Sequence, residues 1–239
     1  MTGERGLQGR TALVTGASRG IGARVAERLA GAGARVWLLA RSPTALAEVA
    51  ARIAGEALVA DVADAASLEG ALDRFRHDVG GPPDIVVNAA GVFALAPVTR
   101  TSAESLDEHL AVNLRGTFLV VRTVLPAMLE RGSGLIVNVG SVAGRRAFVG
   151  NAAYSASKFG LRGFHEVLAE EVSGTGVRAT LLEPSATDTS LWDSVDPDSD
   201  PTLPGRGSML APDDVAEAVL FVATRPDHVR IPLLQIERA

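Results

Sequence analysis

Five consecutive residues, Tyr154-Ser155-Ala156-Ser157-Lys158, carry the clearest chemical signal in the chain. Helix positions four apart share a face, so the phenol and the ammonium would stand one turn apart. A fixed positive charge at that distance favours the phenolate and is expected to lower the Tyr154 pKa from its ordinary value of about 10. A tyrosine tuned this way can pass a proton to or from a substrate oxygen near neutral pH. The pentapeptide alone fits a plain surface helix as well. Its weight comes from two other pieces, Ser141 upstream and a glycine turn at 15–22.

Such groups need a scaffold, and alternating apolar runs and helical stripes supply one. Thr11-Ala12-Leu13-Val14 is a short buried strand, followed by Thr15-Gly16-Ala17-Ser18-Arg19-Gly20-Ile21-Gly22 and a helix patterned on Val25, Leu29 and Ala32. Strand, glycine turn and helix in that order make a phosphate cradle, because glycine lets the backbone approach a pyrophosphate lying at the helix N-terminus. A second strand, 34–40, ends at Arg41-Ser42. An acid there would bind the ribose 2′-hydroxyl of NAD, whereas a cation suits the 2′-phosphate of NADP. Arg41, with Arg19 as a second cation, therefore points to NADP. Glu48 lies too far along the next helix to compete.

A third strand, 56–62, brings Asp61 to its end, to cap the next helix or to receive an adenine amino group. The fourth, 84–87, opens into Asn88-Ala89-Ala90-Gly91, small enough for a ring or ribose to pack on the backbone. Thr101-x-x-Glu104 reads as a capping box for a long helix with the stripe Leu106, Leu110, Thr117, Val121, Val124 and Met128. Asn113 falls on that stripe, either in a polar network or holding something for the site. The fifth strand, 135–139, delivers Ser141 just past its carboxyl end, where open α/β sheets bind ligands. Gly160 and Gly163 interrupt the tyrosine helix at a cost of about 1 kcal/mol each, which suggests close packing, a subunit contact being one candidate. A sixth strand covers 177–182. Residues 185–211 are polar and proline-rich, the pattern of a lid. A last helix from Pro212 and a seventh strand, 231–236, complete the chain.

Composition bounds the rest. With 239 residues, 47% hydrophobic, the chain can bury a large core as one α/β domain over 1–239. A net charge of −5 gives no reason to expect nucleic acid or an anionic membrane as partner. With no cysteine, disulfides and thiolate metal sites are excluded, and the scattered His77, His109, His165 and His228 predict no metal. The polar start, Met1 to Arg10, does not read as a signal peptide, and no apolar run reads as long enough to span a bilayer. A cytoplasmic protein is expected.

Taken in order, TGASRGIG at 15–22, Asp61, NAAG at 88–91, Asn113, Ser141, Tyr154 with Lys158, and Pro184 followed by Thr189 resemble the short-chain dehydrogenase/reductase family over essentially the whole chain. The resemblance implies a Rossmann-type, doubly wound, seven-stranded parallel sheet with helices on both faces. It implies cofactor contacts from Gly16, Ser18, Arg19, Gly20, Ile21, Gly22, Arg41, Asp61, Val62, Asn88, Ala89, Gly91, Tyr154, Lys158, Pro184, Thr187 and Thr189. It makes Tyr154 the general acid, Lys158 the holder of the nicotinamide ribose, Ser141 the group orienting the carbonyl, and Asn113 the holder of a relay water. The expected activity is NADPH-dependent reduction of a small carbonyl substrate, reversible as alcohol oxidation, in a homodimer or homotetramer. Phe93, Phe148 and Trp192 would wall the substrate pocket beside Ser141 and Tyr154. Arg145 and Arg146 argue weakly for an anionic substrate, and the acidic lid against one. Two departures stand out: Ser185 replaces the glycine usual after the proline, and the last strand lacks the glycine-rich ending of many 3-ketoacyl reductases. The rivals are a non-catalytic, cofactor-sensing regulator on the same fold and an NAD-linked alcohol dehydrogenase.

Overall fold

The computed structural model describes residues 6–239, so the first five residues of the polar N-terminal stretch lie outside the described residues. Seven strands, β1 (Thr11–Thr15), β2 (Arg35–Ala40), β3 (Glu56–Val59), β4 (Ile85–Asn88), β5 (Gly134–Val139), β6 (Val177–Pro184) and β7 (Leu233–Ile236), pair in parallel in the order β3-β2-β1-β4-β5-β6-β7. The expected Rossmann-type sheet is therefore present. Its order reverses between β1 and β4, where Thr15 stands level with both Leu39 and Asn88. A crevice opens at such a reversal because the chains leaving the two strands part in opposite directions.

Among the described residues, seven α-helices cover the two faces: α1 (Gly20–Gly31), α2 (Pro43–Ile53), α3 (Ala65–Val79), α4 (Ala103–His109), α5 (Thr117–Arg131), α6 (Ala152–Glu171) and α7 (Pro212–Ala223). Strand side chains alternate faces, so neighbours in one strand enter different cores. Val14 and Leu38 pack with Val25, Leu29, Leu46 and Val219 on one side. Leu13 and Trp37 pack with Leu68, Phe75, Val121 and Met128 on the other. Covered on both faces, the central strands are near-continuous apolar runs, as parallel sheets require.

Several local expectations are corrected by packing. The helix after β4 is capped by Ser102, whose hydroxyl accepts from the Ser105 N–H at 3.2 Å, and not by Thr101, whose hydroxyl turns back to the Ala96 and Pro97 carbonyls. Leu106 is exposed. A π-helical turn, Leu110–Gly116, joins α4 to α5 and carries Asn113. The continuous helical run Ala103–Arg131 is, contrary to the expectation, long and apolar enough by composition to cross a bilayer. One side of it packs in the core through Val112, Val120, Val121, Val124 and Met128, as a core helix does. Strands β3 and β7 are shorter than expected. Gly160 is matched to the Leu114 side chain of the same chain, 2.9 Å from where its Cβ would stand, while Gly163 faces open space.

Candidate functional site

Gly16 ends β1 with a φ of 66°, and a Cβ there would stand 2.7 Å from the Ala90 backbone. Gly22 is held as tightly: its Cβ would stand 2.4 Å from the Gly16 carbonyl oxygen, so α1 settles directly onto the turn. Unlike α3, capped by Asp64, and α4, capped by Ser102, α1 has no side-chain cap and no acid in its first turn. Its leading N–H groups and positive helix end are thus suited to an anion.

From this turn a cleft of about 390 Å³ runs along the ends of β2 and β3. Gly16, Ser18, Arg19, Gly20, Ile21 and Gly22 line it, as do Arg41, Asp61, Val62, Ala89, Gly91 and Thr189. The Arg41 guanidinium is 60% exposed and 3.7 Å from the Asp61 carboxylate. Arg19 is exposed at the same mouth. Asp61 Oδ1 accepts from the Ala63 N–H at 2.9 Å, while capping of α3 falls to Asp64. A close-packed glycine turn, an uncapped helix N-terminus and two exposed cations fit a dinucleotide with a phosphate on its ribose.

Beside the cleft, Ser141 leads β5 into a short 3-10 turn, Val142–Gly144, and its Oγ accepts from the Ala143 N–H at 3.1 Å. This turn is jammed against α6, since a Cβ on Gly144 would lie 2.8 Å from the Lys158 carbonyl oxygen. Ser141 is thereby brought close enough to Tyr154 to bear on its phenol. Phe93 stands edge-on to the Tyr154 ring at 5.0 Å, and Trp192 lies 4.8 Å from Phe93. Buried His109 completes the surround, 6.3 Å from the tyrosine ring, with Nε2 accepting from the Ala94 N–H.

The electrostatics differ from the expectation. Burial pushes the Tyr154 phenol above its ordinary range, and the hydrogen bond with Ser141 only partly offsets this. The ammonium of Lys158 lies 5.7 Å from the tyrosine ring centre and donates to the Val139 carbonyl at 2.8 Å. Burial lowers its own pKa to about 8. Desolvation of both groups thus outweighs their proximity in the protein by itself. A lysine lowered in this way is charged in the unfolded chain but reluctant to be charged in the native state, so it opposes folding below pH 8. That penalty fades as pH rises from about 8 toward 10.5, where both states are neutral. Lys158→Met is therefore expected to raise stability at pH 7 by on the order of 1–3 kcal/mol. Urea midpoints at pH 7 and 10 check this; a gain that does not shrink at pH 10 contradicts it.

Asn113 belongs to a closed polar network. Its Oδ1 accepts from the Val92 N–H at 2.8 Å, and its Nδ2 donates to the Val92 carbonyl at 3.0 Å and to Ser157 Oγ at 2.9 Å. Ser157 in turn donates to the Tyr154 carbonyl. The π-helical turn thus ties the loop after β4 to the tyrosine helix. The Asn113 side chain is thus part of a polar network, as one of its two sequence readings expects.

Not every expected site residue lines the cleft. The Asn88 amide is buried in the sheet, donating to Asn138 Oδ1 at 2.9 Å, and Asn138 continues to the buried His165. Pro184 and Thr187 are buried and do not line the cleft. Phe148 is exposed beneath the Arg146 guanidinium, apart from the Phe93–Trp192 pair. Arg145 is committed to Glu183 and Glu237 and does not serve as a free cation for an anionic substrate. Cleft residues missed in the sequence include Val112, Ser190 and Leu191, small or apolar side chains that carry no chemical signal.

Glu183 was also missed. Only 1% exposed, it accepts from Arg162 at 3.0 Å and Gln235 at 3.0 Å, with Arg145 at 3.4 Å. It joins the Ser141 turn, α6 and β7. Glu183→Ala removes the carboxylate shared by the partly exposed Arg145 and Arg162, which keep Glu237 and Glu166, and is expected to cost about 1–3 kcal/mol. Chemical denaturation checks this; a loss below 1 kcal/mol would contradict it.

The comparisons agree with this architecture. The family model described as short chain dehydrogenase matches residues 10–200. The chain belongs to the short-chain dehydrogenase/reductase family, and is an oxidoreductase of that family. It is 40% identical over 227 residues to a D-threitol dehydrogenase of Mycolicibacterium smegmatis, covering 91% of this chain and 87% of the relative. A gluconate 5-dehydrogenase from Burkholderia cenocepacia in complex with NADP and tartrate superposes with a TM-score of 0.88 at 31% identity, covering 98% of this chain and 96% of that one. A serine dehydrogenase in a closed form complexed with NADP+ gives 0.87 at 31% identity, covering 95% and 94%.

Proposed function

We propose that the protein is an NADP(H)-linked dehydrogenase interconverting a small secondary alcohol and its carbonyl, in one catalytic unit spanning the chain. The observation carrying this reading is the convergence of Ser141, Tyr154 and Lys158 beside a glycine-lined cleft that has Arg41 and Arg19 at its mouth. Bound NADPH supplies the hydride. Ser141 hydrogen-bonds the carbonyl oxygen and orients it toward Tyr154. Tyr154 donates its phenolic proton to that oxygen, and in the reverse direction accepts the alcohol proton. Lys158 holds positive charge next to the phenol, which favours the phenolate formed in reduction. Phe93 and Trp192 exclude water from one side. Asn113 keeps the loop after β4 in place.

The names of the relatives, a threitol, a gluconate and a serine dehydrogenase, support a small polyhydroxylated alcohol or hydroxy acid as substrate. The test is the absorbance of NADPH with a panel of tetritols, sugar acids, 3-hydroxy acids and simple ketones. Turnover of any with NADP(H) preferred upholds the reading. Tight NADPH binding without turnover would favour the regulator, and a preference for NADH the NAD-linked alternative. A cytoplasmic location and assembly with further copies of itself belong to the same reading. Exposed Phe118, Phe159 and Val167, with Gly163 open between the last two, support the assembly. Light scattering of Phe159→Asp/Val167→Asp should show a smaller particle than the parent; a monomeric parent would remove this part.

A further inference from the structure

The segment between β6 and α7 crosses the cleft mouth, yet little apolar surface holds it there. Pro197, Met209 and Leu210 are buried, while Asp193, Asp196, Asp198 and Asp200 are exposed. Its near part carries Thr189, whose Cγ2 would lie 3.3 Å from a Cβ on Gly20, and the short turn Ser190–Trp192. Trp192 meets Phe93, which meets Tyr154. One small turn therefore borders both the glycine cleft and the tyrosine.

A single guanidinium from the far part grips both ends of that turn. Arg206 Nη1 donates to Asp188 Oδ1 at 2.5 Å and to the Thr189 carbonyl at 3.4 Å, and Nη2 donates to Asp193 Oδ1 at 2.7 Å. The Arg206 backbone N–H is itself fixed by Asp198 Oδ1 at 2.8 Å. The planar fork of arginine spans two carboxylates at once, which a lysine ammonium does not reproduce. The side chains of Arg206, Asp188 and Asp193 are 29%, 44% and 67% exposed. Ion pairs this exposed are individually weak and sensitive to salt, and suit a contact that must open and reclose.

We infer that Arg206 is a positioning residue, a latch that holds residues 188–193 over the cleft and so tightens cofactor under Thr189 and substrate against Trp192 together. This rests on the proposed reading of the cleft as the NADP(H) site. Arg206 touches neither ligand and acts through the turn it clamps.

The first test needs no ligand. Trp37 is 1% exposed, so acrylamide quenching of the two tryptophans reports mainly on Trp192, with Trp192→Phe as reference. Arg206→Ala should increase this quenching while leaving the melting temperature within a few degrees. Added salt should move the parent toward the variant and leave the variant unchanged. With substrate, Arg206→Ala should raise the KM for NADPH and for the carbonyl together, roughly tenfold, with kcat changed less than about threefold. Arg206→Lys should recover only part of this. Asp193→Asn should weaken the parent but add nothing in the Arg206→Ala background. Unchanged quenching, lost kcat at unchanged KM, or additive effects of the two substitutions would each overturn the latch. If the parent turned over no substrate, the catalytic reading would fail while the quenching experiment still decided the latch.

Discussion

Tyr154→Phe is expected to lower kcat by about 10³-fold or more while leaving NADPH affinity within a few-fold. The substitution removes one oxygen and keeps the ring that packs against Phe93 and His109, so the pocket wall survives. No other phenol can take over, because Tyr154 is the only tyrosine in the chain. That uniqueness also makes its ionisation directly readable in a near-ultraviolet difference titration. Without ligands the phenol should titrate above its ordinary range, since burial governs it. On the enzyme, kcat/KM for reduction should hold through neutral pH and fall above about 8, where Lys158 loses its charge. The sign follows from the direction of proton flow: reduction needs the protonated phenol and the charged amine, and both are present on the acid side. Retained activity in Tyr154→Phe would remove Tyr154 as the acid, and a reduction profile flat to pH 10 would remove the need for a charged Lys158.

The second large effect concerns cofactor choice. Arg41→Glu should lower kcat/KM with NADPH by about 10²-fold while changing that with NADH only a few-fold, because a charge-assisted contact to the 2′-phosphate is replaced by repulsion. The exposed arginine now leans toward Asp61 at 3.7 Å, a contact that a phosphate dianion would outcompete. Equal losses with both cofactors would show that Arg41 serves the fold and not the phosphate.

Much of this was legible from residue order because it depends on short-range regularities. Buried parallel strands are continuous apolar runs, and the turn after β1 needs glycine wherever one backbone crosses another. Spacing by four puts Tyr154 and Lys158 on one side of a helix whatever surrounds it. Those constraints act within a few residues, so the strand count, the cradle and the shared helix face of Tyr154 and Lys158 could be read off directly.

Other features depend on neighbours far away in the chain. Whether Phe93 or Phe148 faces the tyrosine is decided by which loop folds over α6, and nothing in either residue's own surroundings in the chain states it. Asn113 finds its partners at Val92 and Ser157, and Glu183 gathers arginines from two separate elements. The sign of the Tyr154 shift also had to wait for the fold. A charge one turn away acts locally, but the desolvation opposing it comes from the whole tertiary surround, and in this protein burial is the larger effect. Residue order alone thus determined which groups are present and which strand ends carry them; only the packed chain decided which face one another and how strongly each holds its proton.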